Sequence, residues 1–217
     1  MTAIKFCGLT RFEDAQAAAS SGAAYAGVIF AGGPRNLTIE RARDVLSELP
    51  SSVRRVGVFA AQSASEIASA SDRLGLQVVQ LHGESSTERV VQLRRSFGGE
   101  VWTVVRVAGS TLPASFADAV ESGDGVLLDA YVPGALGGTG VALPWSQLGE
   151  ALDPYRDSIR LILAGGLKPE NVAQAIGDLS PDVVDVSSGV ERAPGIKDHD
   201  RIRAFAAAVS NASLTAS

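Results

Sequence analysis

A single thiol, Cys7, closes the apolar run Ile4–Cys7, with Lys5 two residues before it and Gly8 directly after it. Residues two apart on a strand share a face, so Lys5 and Cys7 point the same way. A cation and a helix N-terminus beside a thiol favour its thiolate, the form that acts as a base. Inert packing is the alternative for a lone cysteine. Lys5 has a second reading, as an ion pair with an interior carboxylate such as Asp185, and both readings can hold together. Asp129 closes another apolar run, Gly125–Leu128. Burial raises a carboxyl's pKa and suits it to general acid work, while a cap on the next loop is the plainer reading. Arg35, after Gly32-Gly33-Pro34, could grip a carboxylate bidentately or stand solvated. His82, before Gly83, could line a pocket or cap its loop. Gly165-Gly166 and Ser187-Ser188-Gly189 could offer bare N–H groups to a phosphate or form tight turns.

Such groups act only if the fold gathers them. The chain has 217 residues, 46% hydrophobic and 20% charged, with a formal net charge of −5. A chain of that length buries roughly 70% of its unfolded surface and needs no staple. One cysteine excludes an intramolecular disulfide and a Cys-rich zinc site, and two histidines argue against a His-rich metal cluster. No apolar run approaches the roughly 18 residues of a membrane span, and the N-terminus lacks the order of a signal peptide, so a cytoplasmic setting is expected. Mild acidity argues against a broad nucleic-acid surface, though not against a small anion held locally.

Apolar runs alternate with helical patterns along the whole chain. The strands predicted are Ile4–Cys7, Tyr25–Phe30, Arg54–Phe59, Gln77–Leu81, Val101–Val107, Gly125–Asp129, Leu161–Ala164 and Val183–Val186. Near-continuous apolarity marks strands covered on both faces. Thr10–Glu13 and Ser63–Glu66 fit a capping box. Pro169 suits the first turn of a helix carrying Val172, Ala175, Ile176 and Leu179 on one face. The last helix places Ile202, Phe205, Ala206 and Val209 at the same spacing, and the small polar tail from Ser210 is expected to fray. The period of about 25 residues admits a solenoid, but no side-chain consensus recurs. The fold class predicted is α/β, a single-domain (β/α)8 TIM barrel over residues 1–209, compact against the usual size of about 250 residues. A doubly wound sheet is the runner-up, and an early Gly-x-Gly-x-x-Gly is missing. A barrel carries its chemistry where strands end, often with phosphate after the seventh and eighth. Those ends hold Cys7, His82, Asp129 and the glycine turns. The loop from Tyr131 to Gly140 reads as a lid or an ordinary connection.

The chain resembles the phosphoribosylanthranilate isomerase family from Lys5 to about Phe205. The likeness rests on Lys5-Phe6-Cys7-Gly8-Leu9-Thr10, Pro34-Arg35, Gln80-Leu81-His82-Gly83, Leu128-Asp129 and Gly137-Gly138-Thr139-Gly140. It continues through Ala164-Gly165-Gly166-Leu167, Asp185-Val186-Ser187-Ser188-Gly189-Val190-Glu191 and Pro194-Gly195-Ile196-Lys197-Asp198. The order and spacing of these pieces are specific. The resemblance implies an Amadori rearrangement in tryptophan biosynthesis without metal or cofactor. It also implies a small phosphorylated sugar–anthranilate substrate and a monomer or homodimer. By the same resemblance Asp129 is the general acid and Cys7 the general base. The phosphate falls on the Gly165-Gly166 and Ser188-Gly189 backbone, the anthranilate carboxylate near Arg35, sugar hydroxyls on Asp185, and His82 in the pocket. Two departures stand out: Gly33 where a serine commonly precedes Pro-Arg, which loses a hydroxyl and implies a more flexible loop, and Phe6 for a more usual aliphatic residue.

Two rivals remain in view. A histidine-pathway aldose–ketose isomerase would work with two carboxylates and two phosphate sites, whereas Cys7 stands where the first acid would be. A metabolite-sensing barrel would keep the glycine turns without needing Cys7 and Asp129 together. A metal-dependent epimerase lacks its paired His and Asp ligands.

Overall fold

The computed structural model describes residues 1–83, 86–130 and 144–215. Eight parallel strands close into a barrel in sequence order: β1 (Ala3–Phe6), β2 (Tyr25–Ile29), β3 (Arg54–Phe59), β4 (Val78–Leu81), β5 (Glu100–Val107), β6 (Gly125–Ala130), β7 (Leu161–Leu163) and β8 (Val183–Val186). Closure comes from β8 pairing with β1, which sets Lys5 opposite Asp185 and Phe6 opposite Val186. The helices are α1 (Phe12–Ser20), α2 (Ile39–Leu46), α3 (Ala64–Leu74), α4 (Thr87–Arg94), α5 (Ser115–Ser122), α6 (Trp145–Leu152), α7 (Val172–Leu179) and α8 (His199–Thr215). The α/β barrel expected from the alternation of runs is the fold found.

Period-two alternation decides what each strand sends to each side. Ile4 and Phe6 pack outward against the helices, in one continuous core with Val28, Leu81, Val126, Leu163 and Val186. Tyr25, Val56, Val78, Trp102, Leu127, Ile162 and Val183 point inward and form a separate apolar cluster, with Trp102 set edge-on to Tyr25 at 4.9 Å. This cluster fills the barrel near the strand starts. Two residues further along, the inward position turns polar on four strands, with Lys5 on β1, Gln80 on β4, Asp129 on β6 and Asp185 on β8, all buried. The site therefore has a dry apolar floor.

Local signals largely agree with the elements they predict, and three do not. Ser63 and Glu66 cap α3 reciprocally, but α1 starts after Arg11 with no side-chain cap. Thr10 instead donates its hydroxyl to Gly195 O, because the chain that follows β8 folds back over the start of α1. Pro169 lies in the turn before α7, which begins at Val172. The tail predicted to fray from Ser210 stays helical to Thr215; Ala212 packs against the core and Thr2 N donates to Ser213 Oγ at 3.4 Å. Between β8 and α8 the chain makes a hairpin, β9 (Glu191–Ala193) with β10 (Ile196–Lys197), turned by Gly195 at φ 79°. The Pro194-Gly195 pair was its only sequence signal. Both departures from the family pattern have a place. Phe6 packs edge-on against Phe205 at 6.0 Å. Gly33 sits at φ 80°, a left-handed conformation that would strain a serine. The candidate lid, residues 131–140, lies outside the described residues.

Candidate active site

Beyond the last turn of each strand the barrel opens into a cavity of about 170 Å³. Cys7, Arg35, His82, Asp129, Gly165, Gly166, Asp185, Ser188 and Gly189 all line it, together with Gln80. These residues come from strands spread over the whole sequence, and period-two geometry brings them to one side. Cys7 stands one residue past β1, Asp129 on β6 and Asp185 on β8.

Lys5 lies beneath them. Its ammonium donates to Asp185 Oδ2 at 2.8 Å in full burial. Burial alone would depress the Lys5 pKa, yet Asp185 and Cys7 outweigh it and hold the ammonium above its ordinary range. Among the described residues, Asp185 Oδ1 and Gln80 Oε1 are buried with no hydrogen-bond partner. Such oxygens carry an unmet cost of about 1–3 kcal/mol until a donor arrives.

The two groups suited to proton transfer are both shifted upward. Burial pushes the Asp129 carboxyl up, with Asp185 adding to the shift and His82 and Arg106 opposing it. The acid form therefore persists above the usual carboxylate range. Burial also pushes the Cys7 thiol up, against the pull of Lys5 and Lys197. From sequence, Lys5 and a helix N-terminus favour the thiolate, and burial works against them. Lys5 acts in the expected sense, but desolvation outweighs it because the thiol sits where almost no water reaches.

Arg35 is neither solvated nor free. Its Nε and Nη2 donate to the two Glu191 carboxylate oxygens at 2.8 and 2.7 Å. Lys197 Nζ donates to the same Glu191 at 2.8 Å, to Cys7 O at 2.7 Å and to Ser187 O at 3.0 Å. One buried ammonium thus ties the ends of β1 and β8 together. Gly8, at φ 67°, makes room for this arrangement, since a Cβ there would lie 2.5 Å from Arg35 Cδ. Glu191 and Lys197 had no site role from sequence. Arg35 and Glu191 are 156 residues apart, and only the hairpin β9–β10 returns Glu191 and Lys197 to the rim.

The glycine loops after β7 and β8 meet on the far side of the cavity. Gly165 and Gly166 adopt φ 82° and 67°. Asn171 Nδ2 donates to Gly166 O at 3.0 Å and Arg201 Nε to Gly189 O at 2.9 Å, so the loop carbonyls are taken up within the protein. Among the described residues, the N–H groups of Gly165 and Gly166 bond to no other part of the chain. After β8 a single 3-10 turn, Ser188–Val190, carries Ser188 and Gly189 at the cavity wall. Among the described residues no cluster of three His, Cys, Asp or Glu could hold a metal ion, and no helix is long and apolar enough to cross a membrane.

A closed eight-stranded parallel barrel with a cavity at its strand C-termini, lined by a buried thiol, a buried carboxyl and glycine loops, defines the (β/α)8 barrel class. The family model for N-(5'-phosphoribosyl)anthranilate (PRA) isomerase matches residues 4–208, and the chain belongs to that family. It is 44% identical over 206 residues to the N-(5'-phosphoribosyl)anthranilate isomerase of Pseudomonas fluorescens strain Pf0-1, spanning 94% of this chain and 97% of that relative. The Thermus thermophilus phosphoribosyl anthranilate isomerase structure superposes with TM-score 0.84 at 34% identity, covering 97% of this chain and 99% of that one. A solved complex of a phosphoribosyl anthranilate isomerase with reduced 1-(o-carboxyphenylamino)-1-deoxyribulose 5-phosphate superposes with TM-score 0.81 at 36% identity, covering 97% and 100%. The Thermotoga maritima enzyme, whose monomers generated from the dimeric form match with the same TM-score of 0.81 at 36% identity, covering 97% and 100%, is described as dimeric.

Proposed function

We propose that the chain converts N-(5-phosphoribosyl)anthranilate to 1-(2-carboxyphenylamino)-1-deoxyribulose 5-phosphate, with Asp129 as general acid and Cys7 as general base. The carrying observation is that both groups, shifted upward by burial, line one cavity with Arg35 and the two glycine loops. Asp129, protonated, donates to the furanose ring oxygen; the C1'–O bond breaks as the anilino nitrogen pair forms the Schiff base. Cys7, as thiolate, removes the C2' proton to leave an enolamine. Proton return to C1' and loss of the C2' hydroxyl proton give the ketone, with composition unchanged. A raised thiol pKa means less thiolate at rest but a stronger base once it forms, and Lys5 below it limits the first cost.

The N–H groups of Gly165 and Gly166, with the Ser188-Gly189 backbone, bind the phosphate in this reading. Asp185 Oδ1 accepts a sugar hydroxyl, and His82 lines the pocket beside Asp129. Arg35 receives the anthranilate carboxylate. Chromatographic detection of the aminoketose tests the activity, with complementation of a tryptophan auxotroph lacking this step and of the histidine-step auxotroph in parallel. Growth of the first alone supports the reading, and growth of neither rejects it. Cys7→Ala and Asp129→Asn should each lose about 10²–10⁴-fold in turnover while still binding the reduced product analogue. Full activity in either variant would sink the assigned mechanism.

A further inference from the structure

A guanidinium carries five N–H donors in a flat fork. Glu191 occupies one edge of the Arg35 fork through Nε and Nη2, which leaves the Nη1–Nη2 edge for a ligand. Glu191 Oε1 is shared between Arg35 Nε and Lys197 Nζ, each at 2.8 Å. Two cations therefore straddle one carboxylate, and the trio keeps a single net positive charge next to the cavity. Glu191 and Lys197 are almost wholly buried, so the trio is built into the rim rather than formed by mobile surface chains. Arg35 and Lys197 outweigh the burial of Glu191 and keep its carboxyl below the usual range, whereas at Lys197 burial outweighs the pull of Glu191 and holds the ammonium below its ordinary range.

We infer that Glu191, buttressed by Lys197, is the positioning residue that aims Arg35 at the ligand's carboxylate and sets selectivity for it. The inference rests on the proposed reading of Arg35 as the carboxylate-binding group. A long, flexible arginine loses side-chain entropy on gripping a ligand; an arginine already clamped by Glu191 has lost it beforehand, and its remaining edge is pre-organised. The opposite assignment, Glu191 as a counter-ion that competes with the ligand for Arg35, predicts the opposite sign.

The test compares Glu191→Gln with the wild-type protein using two probes. One is reduced 1-(o-carboxyphenylamino)-1-deoxyribulose 5-phosphate, and the other is the same compound without the carboxylate. The wild-type protein should bind the first at least about tenfold more tightly, as for a charge-assisted hydrogen bond. In Glu191→Gln that ratio should fall several-fold towards one, KM should rise and kcat should change little, the mark of lost uniform binding. Inorganic phosphate should compete equally well in both proteins. Glu191→Asp, which keeps the charge with a shorter reach, should lie between them and serves if the glutamine variant folds poorly. In an Arg35→Ala background Glu191→Gln should have no further effect on the ratio. A tighter analogue in Glu191→Gln, or equal weakening of both probes, overturns the inference. A wild-type protein that does not discriminate the probes overturns the Arg35 reading itself, so the two failures are separable.

Discussion

An alanine at Gly189 would place its Cβ 1.9 Å from Leu167 O, 2.9 Å from Leu167 C and 3.2 Å from Lys168 Cα. All three are backbone atoms, so no side chain can rotate away. Unstrained contact begins near 3.5 Å, so the loops after β7 and β8 must part by roughly 1.5 Å. Overpacking of that kind costs about 1–3 kcal/mol, which in a chain of this size lowers Tm by several degrees, at about 2–4 °C per kcal/mol. The functional cost is larger, because a 1 Å misplacement can cost about 100-fold in rate. Gly189→Ala should therefore lower kcat/KM by about two orders of magnitude, most of it in KM, and weaken inhibition by inorganic phosphate. The control is Gly177→Ala on the exposed face of α7, where a Cβ meets nothing within 4 Å. That change removes a helical glycine and should stabilise by about 0.5–1 kcal/mol, with unchanged kinetics. Steady-state kinetics, phosphate inhibition and thermal melts of the pair settle the matter. If Gly189→Ala keeps wild-type KM and phosphate inhibition, the two loops do not form the phosphate grip.

Removing Lys5 leaves Asp185 buried and unpaired, so Lys5→Met should cost about 3–5 kcal/mol in chemical denaturation. The same variant should move the pH midpoint of Cys7 alkylation upward, because Lys5 pulls the thiol down; an unmoved midpoint would show that Lys5 serves structure alone. For the wild-type protein, the active form needs Asp129 protonated and Cys7 ionised, the less populated state of each between their two pKa values. The product of those fractions is constant in that interval, so kcat/KM should be a broad plateau. It should fall below the raised Asp129 value and above the raised Cys7 value. An alkaline limb at or below the ordinary thiol range of about 8.5 would contradict a burial-dominated Cys7.

The barrel and the position of its candidate site were legible in the sequence for a local reason. Covered parallel strands are apolar without interruption, so an intrusive Asp129 or Lys5 stands out, and strand ends locate the rim before any contact is known. Glycine pairs at adjacent strand ends are equally local. Small errors at element ends followed from the same locality: Thr10 has the capping residue's chemistry, yet Gly195 from the distant hairpin β9–β10 takes its hydroxyl.

What the order of residues determined by itself was which groups face inward and at which end of the barrel. It could not determine their charge state or their partners. The thiol's shift is a balance between desolvation and two lysines that approach from different strands and loops, and desolvation depends on how completely the closed barrel excludes water. Arg35 pairs with Glu191, rather than with solvent, only because β8 returns beside β1 and a hairpin carries Glu191 and Lys197 back to the rim. Periodicity is a property of a few neighbouring residues. Burial and pairing belong to the closed chain.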